Sequence, residues 1–234
     1  MARAAVFCIS ASLHAPPGCY NATNGGRTMK PPISRFLAAL LMWPVITHAA
    51  WANDSTYTDL DLDKCRTVAE DEMGVSLLCR GFGEYDVHFA ESDLRQSILY
   101  GPLDKALENE VFESFEAFNH VGSKIEWRLD TSRKPVATIL RWFIENVDDK
   151  AGMPTKESTG QVLVISRVAQ PEDGRGCVVG YVDALSNPEA NELARRVADE
   201  QVPGFACGRD RSAWFGQRGE KSGEPTHVWP ETVR

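Results

Sequence analysis

The sequence predicts an α+β domain, a single antiparallel sheet of about six or seven strands packed against a C-terminal amphipathic helix and held by two disulfides. Three observations carry that reading. Short runs of alternating apolar and polar residues recur between turn-forming residues, the period of half-buried strands. The segment 188–201 instead places Ala190, Leu193, Ala194, Val197 and Ala198 at helical spacing. Four cysteines (Cys65, Cys79, Cys177 and Cys207) follow a segment with the character of an export signal.

The charge distribution marks where the folded domain begins. Residues 1–52 hold four basic residues (Arg3, Arg27, Lys30 and Arg35) and no Asp or Glu, so all 33 acidic residues follow them. The 21 basic residues left after Ala52 give that part a net charge of about −12. Lys30 and Arg35 form a positive lead-in to the apolar run 36–46, and Ala50, Trp51 and Ala52 give a small-x-small cleavage pattern. The run of about 11 residues, broken by Pro44, is far short of the roughly 20 needed to cross a bilayer. Residues 29–52 therefore read as a signal peptide and residues 1–28 as an upstream extension. Residues 53–215 read as one domain. Residues 216–234, rich in Gly, Pro and charge, read as a flexible tail. The expected location is periplasmic or secreted, with no stable membrane insertion once the signal is cleaved. The acidity of the mature part argues against nucleic acid as a partner.

Cysteine usage agrees with export, because disulfides persist outside the cytosol. Four cysteines allow three connectivities. The sequence-local pairing, Cys65 with Cys79 and Cys177 with Cys207, is expected because each pair brackets one supersecondary unit. Residues 75–80 and 85–90 read as a hairpin turning at Gly81 and Gly83, with a third strand at 94–100. Residues 104–120, with Leu107, Val111, Phe112, Phe115 and Phe118, suit a short helix. Strands are expected at 124–129, 136–145, 161–169 and 177–183. The third of these is apolar on both faces and therefore central. Asn187 reads as the cap of the last helix, with Pro188 in its first turn. Leu193 and Val197 face the sheet, and Glu192, Arg195, Arg196, Asp199 and Glu200 face outward.

Catalytic signatures are sparse. The chain contains no HExxH, GxSxG, SxxK or phosphate-binding loop. His88, His120 and His227 show no metal-ligand spacing, so neither a metal nor a cofactor is expected. Asp93, Glu126, Glu145 and Asp183, at strands or strand ends, are the candidates for a paired-carboxylate glycosidase. The most suggestive cluster is Glu126, Trp127 and Arg128 on one strand with Arg141 and Trp142 on the next. Strand alternation sends both Trp side chains to the core. Arg128, Arg141 and Glu126 then form either a site for a carboxylate or sugar acid, or a set of cross-strand salt bridges. The function expected is a non-catalytic binding or inhibitor-type module of the cell envelope. Its partner would be an envelope protein or an anionic small molecule or glycan. The alternative is a carboxylate-dependent hydrolase of cell-wall glycan.

Residues 57–65, 94–95, 100–101, 125–128, 137–143, 160–165, 181–184 and 191–194 together resemble a family of exported bacterial proteins of unknown function. The resemblance spans about residues 57–215. It implies a periplasmic or secreted location and brings no activity, cofactor or catalytic residue with it.

Overall fold

The computed structural model describes residues 54–230; the expected extension, signal peptide and cleavage site lie outside the described residues. In chain order the strands begin with β1 (Asp54–Asp59), β2 (Arg66–Glu70), β3 (Gly74–Phe82), β4 (Tyr85–Ser92) and β5 (Arg95–Tyr100). A short helix α1 (Lys105–Glu110) leads to β6 (Phe112–Phe115), β7 (Asn119–Leu129), β8 (Pro135–Ile144), β9 (Val147–Asp148) and β10 (Met153–Pro154). Then come β11 (Gly160–Arg167), β12 (Cys177–Asp183), the long helix α2 (Ala190–Gln201), β13 (Ala213–Trp214) and β14 (Pro225–Val228).

The α+β class and both disulfides, Cys65–Cys79 and Cys177–Cys207, are present. The single antiparallel sheet is not. A six-stranded sheet runs β1-β7-β8-β11-β12-β13, and a separate four-stranded sheet runs β2-β3-β4-β5. The larger sheet is mixed, because β13 lies parallel to β12. The reason is visible in β11 and β12, whose side chains are apolar on both faces and need cover on each. On one face Ile125, Trp127, Leu140, Trp142, Val162 and Val164 meet Val87, Phe89, Ile98 and Tyr100 of the four-stranded sheet. On the other, Ala137, Ile139, Leu163, Ile165 and Val179 meet Ala194, Val197 and Ala198 of α2. Alternation within a strand shows which residues are buried. It does not show which strands pair, and so one sheet was the simplest expectation.

Three local expectations are corrected. Residues 104–120 hold only one helical turn and a half; Phe112 and Phe115 lie on β6 instead. The helix α2 starts at Ala190, and Asn187 does not cap it. The Asn187 side chain instead donates to the carbonyls of Asp183 and Gln217 and accepts from the Gln217 amide. Last, the segment from Gly216 is not a free tail over its described part. Glu220–Ser222 form a 3-10 turn, and β14 pairs antiparallel with β6. Apolar content is low there, but backbone pairing and the anchors at Asn187 and Asp183 hold it.

Candidate functional site

The residues singled out by sequence lie under α2, on a face that the helix covers. Arg128 is only 4% exposed. Its guanidinium grips Asp199 of α2 with two bonds, Nε to Oδ1 at 3.0 Å and Nη2 to Oδ2 at 2.6 Å. Glu126, also buried, accepts from Arg195 Nε at 2.7 Å and Nη2 at 3.2 Å, and from the Ser55 hydroxyl at 2.5 Å. Arg195 and Asp199 thus reach inward from the flank of the helix, where an outward direction was expected. Arg141 stands apart and donates to Gln161 Oε1 at 3.0 Å. Arg128 and Glu126 form a clamp between helix and sheet, not an open ligand face. The four carboxylates weighed for glycosidase chemistry also have separate tasks. Asp93 pairs with Arg95 and Glu145 with His120, and Asp183 caps the turn after β12.

A different cluster forms where three distant segments meet. The β14–β6 register sets His227 directly opposite Glu113, which brings cross-strand side chains to within about 5 Å. The parallel β12–β13 register aligns Tyr181 with Trp214. It thereby brings Ser212, just before β13, alongside the Tyr181 ring. Gly180 allows this approach, since a Cβ there would meet the Phe215 ring at 2.6 Å.

Hydrogen bonds join these groups into a line. Glu113 is 3% exposed. Its Oε1 accepts from Trp229 Nε1 at 3.0 Å, and its Oε2 accepts from the Val178 amide at 2.6 Å. His227 Nδ1 lies 3.1 Å from Oε1. A carboxylate held by such donors takes a proton-bearing Nδ1 as its partner, so the neutral imidazole presents the Nε2 lone pair. Ser212 Oγ lies 3.1 Å from that Nε2, and the Tyr181 hydroxyl lies 3.2 Å from it. Burial, and then the Glu113 charge, pushes the Tyr181 phenol well above its ordinary value, so it stays protonated.

The cluster opens on a cavity of about 530 Å³. Phe205 and Trp229 give it aromatic walls, and Arg209, Arg211, Asp210 and Glu113 line it with charge of both signs. A tight turn exposes both Arg residues: the Arg209 and Asp210 amides donate to the Ala206 carbonyl, and Asp210 Oδ2 accepts from the Ala206 amide. Neither Arg has a carboxylate partner among the described residues. Also among the described residues, no three His, Cys, Asp or Glu side chains are set to hold a metal ion.

Sequence reasoning missed every member of this cluster. Glu113 falls in a segment read as helix, His227 in one read as tail, and Ser212 in no nucleophile motif. Their separations of 15 residues (Ser212 to His227) and 114 residues (Glu113 to His227) leave no local pattern to find. No family model, curated protein or solved structure matches the chain.

Proposed function

We propose that the chain is an exported protein of the bacterial cell envelope whose mature domain binds an anionic small molecule or acidic glycan fragment. The ligand would occupy the cavity beside His227 and Ser212. The observation that carries this reading is the pair of guanidinium groups, Arg209 and Arg211, set on an aromatic-walled cavity without carboxylate partners among the described residues. Guanidinium forks match carboxylate and phosphate oxygens, and the cavity volume suits a small ligand. Export is supported by the abrupt charge break after Ala52, the signal-like segment before it and the two disulfides. Among the described residues no helix is long and apolar enough to cross a membrane.

Two measurements test this. Protein recovered from the envelope fraction should have an intact mass that starts at Asn53; a species retaining residues 1–52 overturns the export reading. In isothermal titration, phenylphosphate and trigalacturonate serve as phosphate and carboxylate probes, and at least one should bind, more weakly as salt is added. Each charge-assisted bond contributes about 1.5–3 kcal/mol, so Arg209→Ala with Arg211→Ala should weaken binding by about tenfold or more. No heat with either probe, or undiminished affinity in the double variant, rules the cavity out as an anion site.

A further inference from the structure

We infer that Ser212 is the nucleophile of an acyl-transfer site, with His227 as its base and Glu113 as the positioning residue. The substrate class, an ester or activated acyl group with an anionic substituent, rests on the anion-binding reading of the same cavity; the nucleophile itself does not.

The geometry meets the roles in order. A base must sit within about 2.6–3.2 Å of the atom whose proton it removes, and a third group must fix its tautomer. Ser212 Oγ to His227 Nε2 and His227 Nδ1 to Glu113 Oε1 are both 3.1 Å. Such triads are recognised by geometry and role, and chain order differs among unrelated folds. Glu113 cannot swing away, because the Val178 amide and the Trp229 indole hold both of its oxygens. Two hydroxyls converge on Nε2, and accessibility decides between them. Tyr181 is 2% exposed and packed edge-on against Phe115 at 5.7 Å, whereas Ser212 is half-buried and lines the cavity.

In the first step Oγ of Ser212 forms a bond to the acyl carbon while its proton passes to His227 Nε2. The bond from that carbon to the leaving oxygen then breaks, and the leaving oxygen takes the proton from Nε2. Water attacks the acyl-Ser212 ester, gives its proton to Nε2, and Ser212 leaves with that proton. The sum is ester plus water to acid plus alcohol.

The test treats the mature full chain with a fluorophosphonate and maps the adduct by peptide mass. It also follows p-nitrophenolate release from p-nitrophenyl acetate and from mono-p-nitrophenyl glutarate. The adduct is expected on Ser212, and Ser212→Ala should lose both labelling and hydrolysis to background while it still binds the anion probe. Ser212→Cys, which keeps a nucleophile, should gain alkylation by iodoacetamide. Glu113→Gln should lower kcat with KM little changed and shift the pH profile, which a merely structural role would not do. No adduct, an adduct elsewhere, or full hydrolysis by Ser212→Ala overturns the nucleophile even if the probe binds. Labelling of Ser212 with no preference for the glutarate ester, unchanged by Arg209→Ala with Arg211→Ala, keeps the nucleophile and removes the anionic substrate class.

Discussion

Arg128→Ala is expected to destabilise the domain by about 3 kcal/mol, and Arg141→Ala by less than about 1 kcal/mol. The two residues look equivalent in sequence, each one position from a buried Trp on neighbouring strands. Their surroundings differ. Arg128 holds both oxygens of Asp199 and donates to Ser55, and it lies 3.8 Å from Glu126. Removing it takes both of these bonds from Asp199 and loosens α2 from β7. Such losses cost about 3–5 kcal/mol in fully buried pairs; the partial exposure of Asp199 places this one at the lower end. Among the described residues Arg141 bonds only to amide oxygens, at 3.0 Å to Gln161 and 3.5 Å to Asn191. Urea melts of both variants decide the matter. Equal and small losses would return Arg128 to the surface role that the sequence allowed.

The same clamp predicts an acid limb. Burial pushes the Glu126 carboxyl up, but the Arg195 and Ser55 hydrogen bonds and the charges of Arg195 and Arg128 outweigh it and hold the group below its ordinary 4.5. Its contribution is therefore complete above about pH 4.5 and is lost as pH falls through its lower folded value. Wild type and Glu126→Gln should differ in stability at neutral pH and converge as the solution is acidified. A gap that persists at low pH would mean that packing, not charge, is what the substitution removes.

What could be read in advance follows from how far a signal reaches along the chain. Strand parity is local, so Trp127 and Trp142 are where alternation puts them, in the core. The apolar stripe of α2 is local too, and Ala194, Val197 and Ala198 are buried as its phase requires, although Leu193 lies at the edge of the packed face. The disulfides follow from short loops around single units. The division into two sheets did not follow, because β5 and β7 can join one sheet or two without any change in their own patterns. The cluster at His227 was illegible for a sharper reason. β6, β13 and β14 have four, two and four residues, too few for a period to emerge. Their pairing is set by tertiary contacts such as Phe115 against Trp142 and Tyr181, and by Gly180 admitting β13.

Replacing both Cys177 and Cys207 by Ala is expected to cost about 3–4 kcal/mol and to impair the cavity beyond that cost. The bond closes a 30-residue separation, and restricting the unfolded chain over that length accounts for the figure in the chain-entropy picture. Both half-cystines are buried, so the Ala variant leaves the packing short of two sulfurs as well. The functional consequence comes from position. Cys177 opens β12, which carries Tyr181 and whose Val178 amide fixes Glu113. Cys207 sits in the turn that carries Arg209 and Arg211 and leads directly to Ser212. The disulfide therefore fixes the distance between the two halves of the cluster. Cys65→Ala with Cys79→Ala provides the comparison, because that bond closes a 14-residue separation and should cost about 3 kcal/mol. It lies against the four-stranded sheet, and none of its residues lines the cavity. At a temperature where both double variants remain folded, phenylphosphate affinity and fluorophosphonate labelling should fall in the Cys177/Cys207 variant and hold in the Cys65/Cys79 variant. If the two variants lose binding and labelling equally, the losses follow global stability, and the Cys177–Cys207 bond has no special hold on the site.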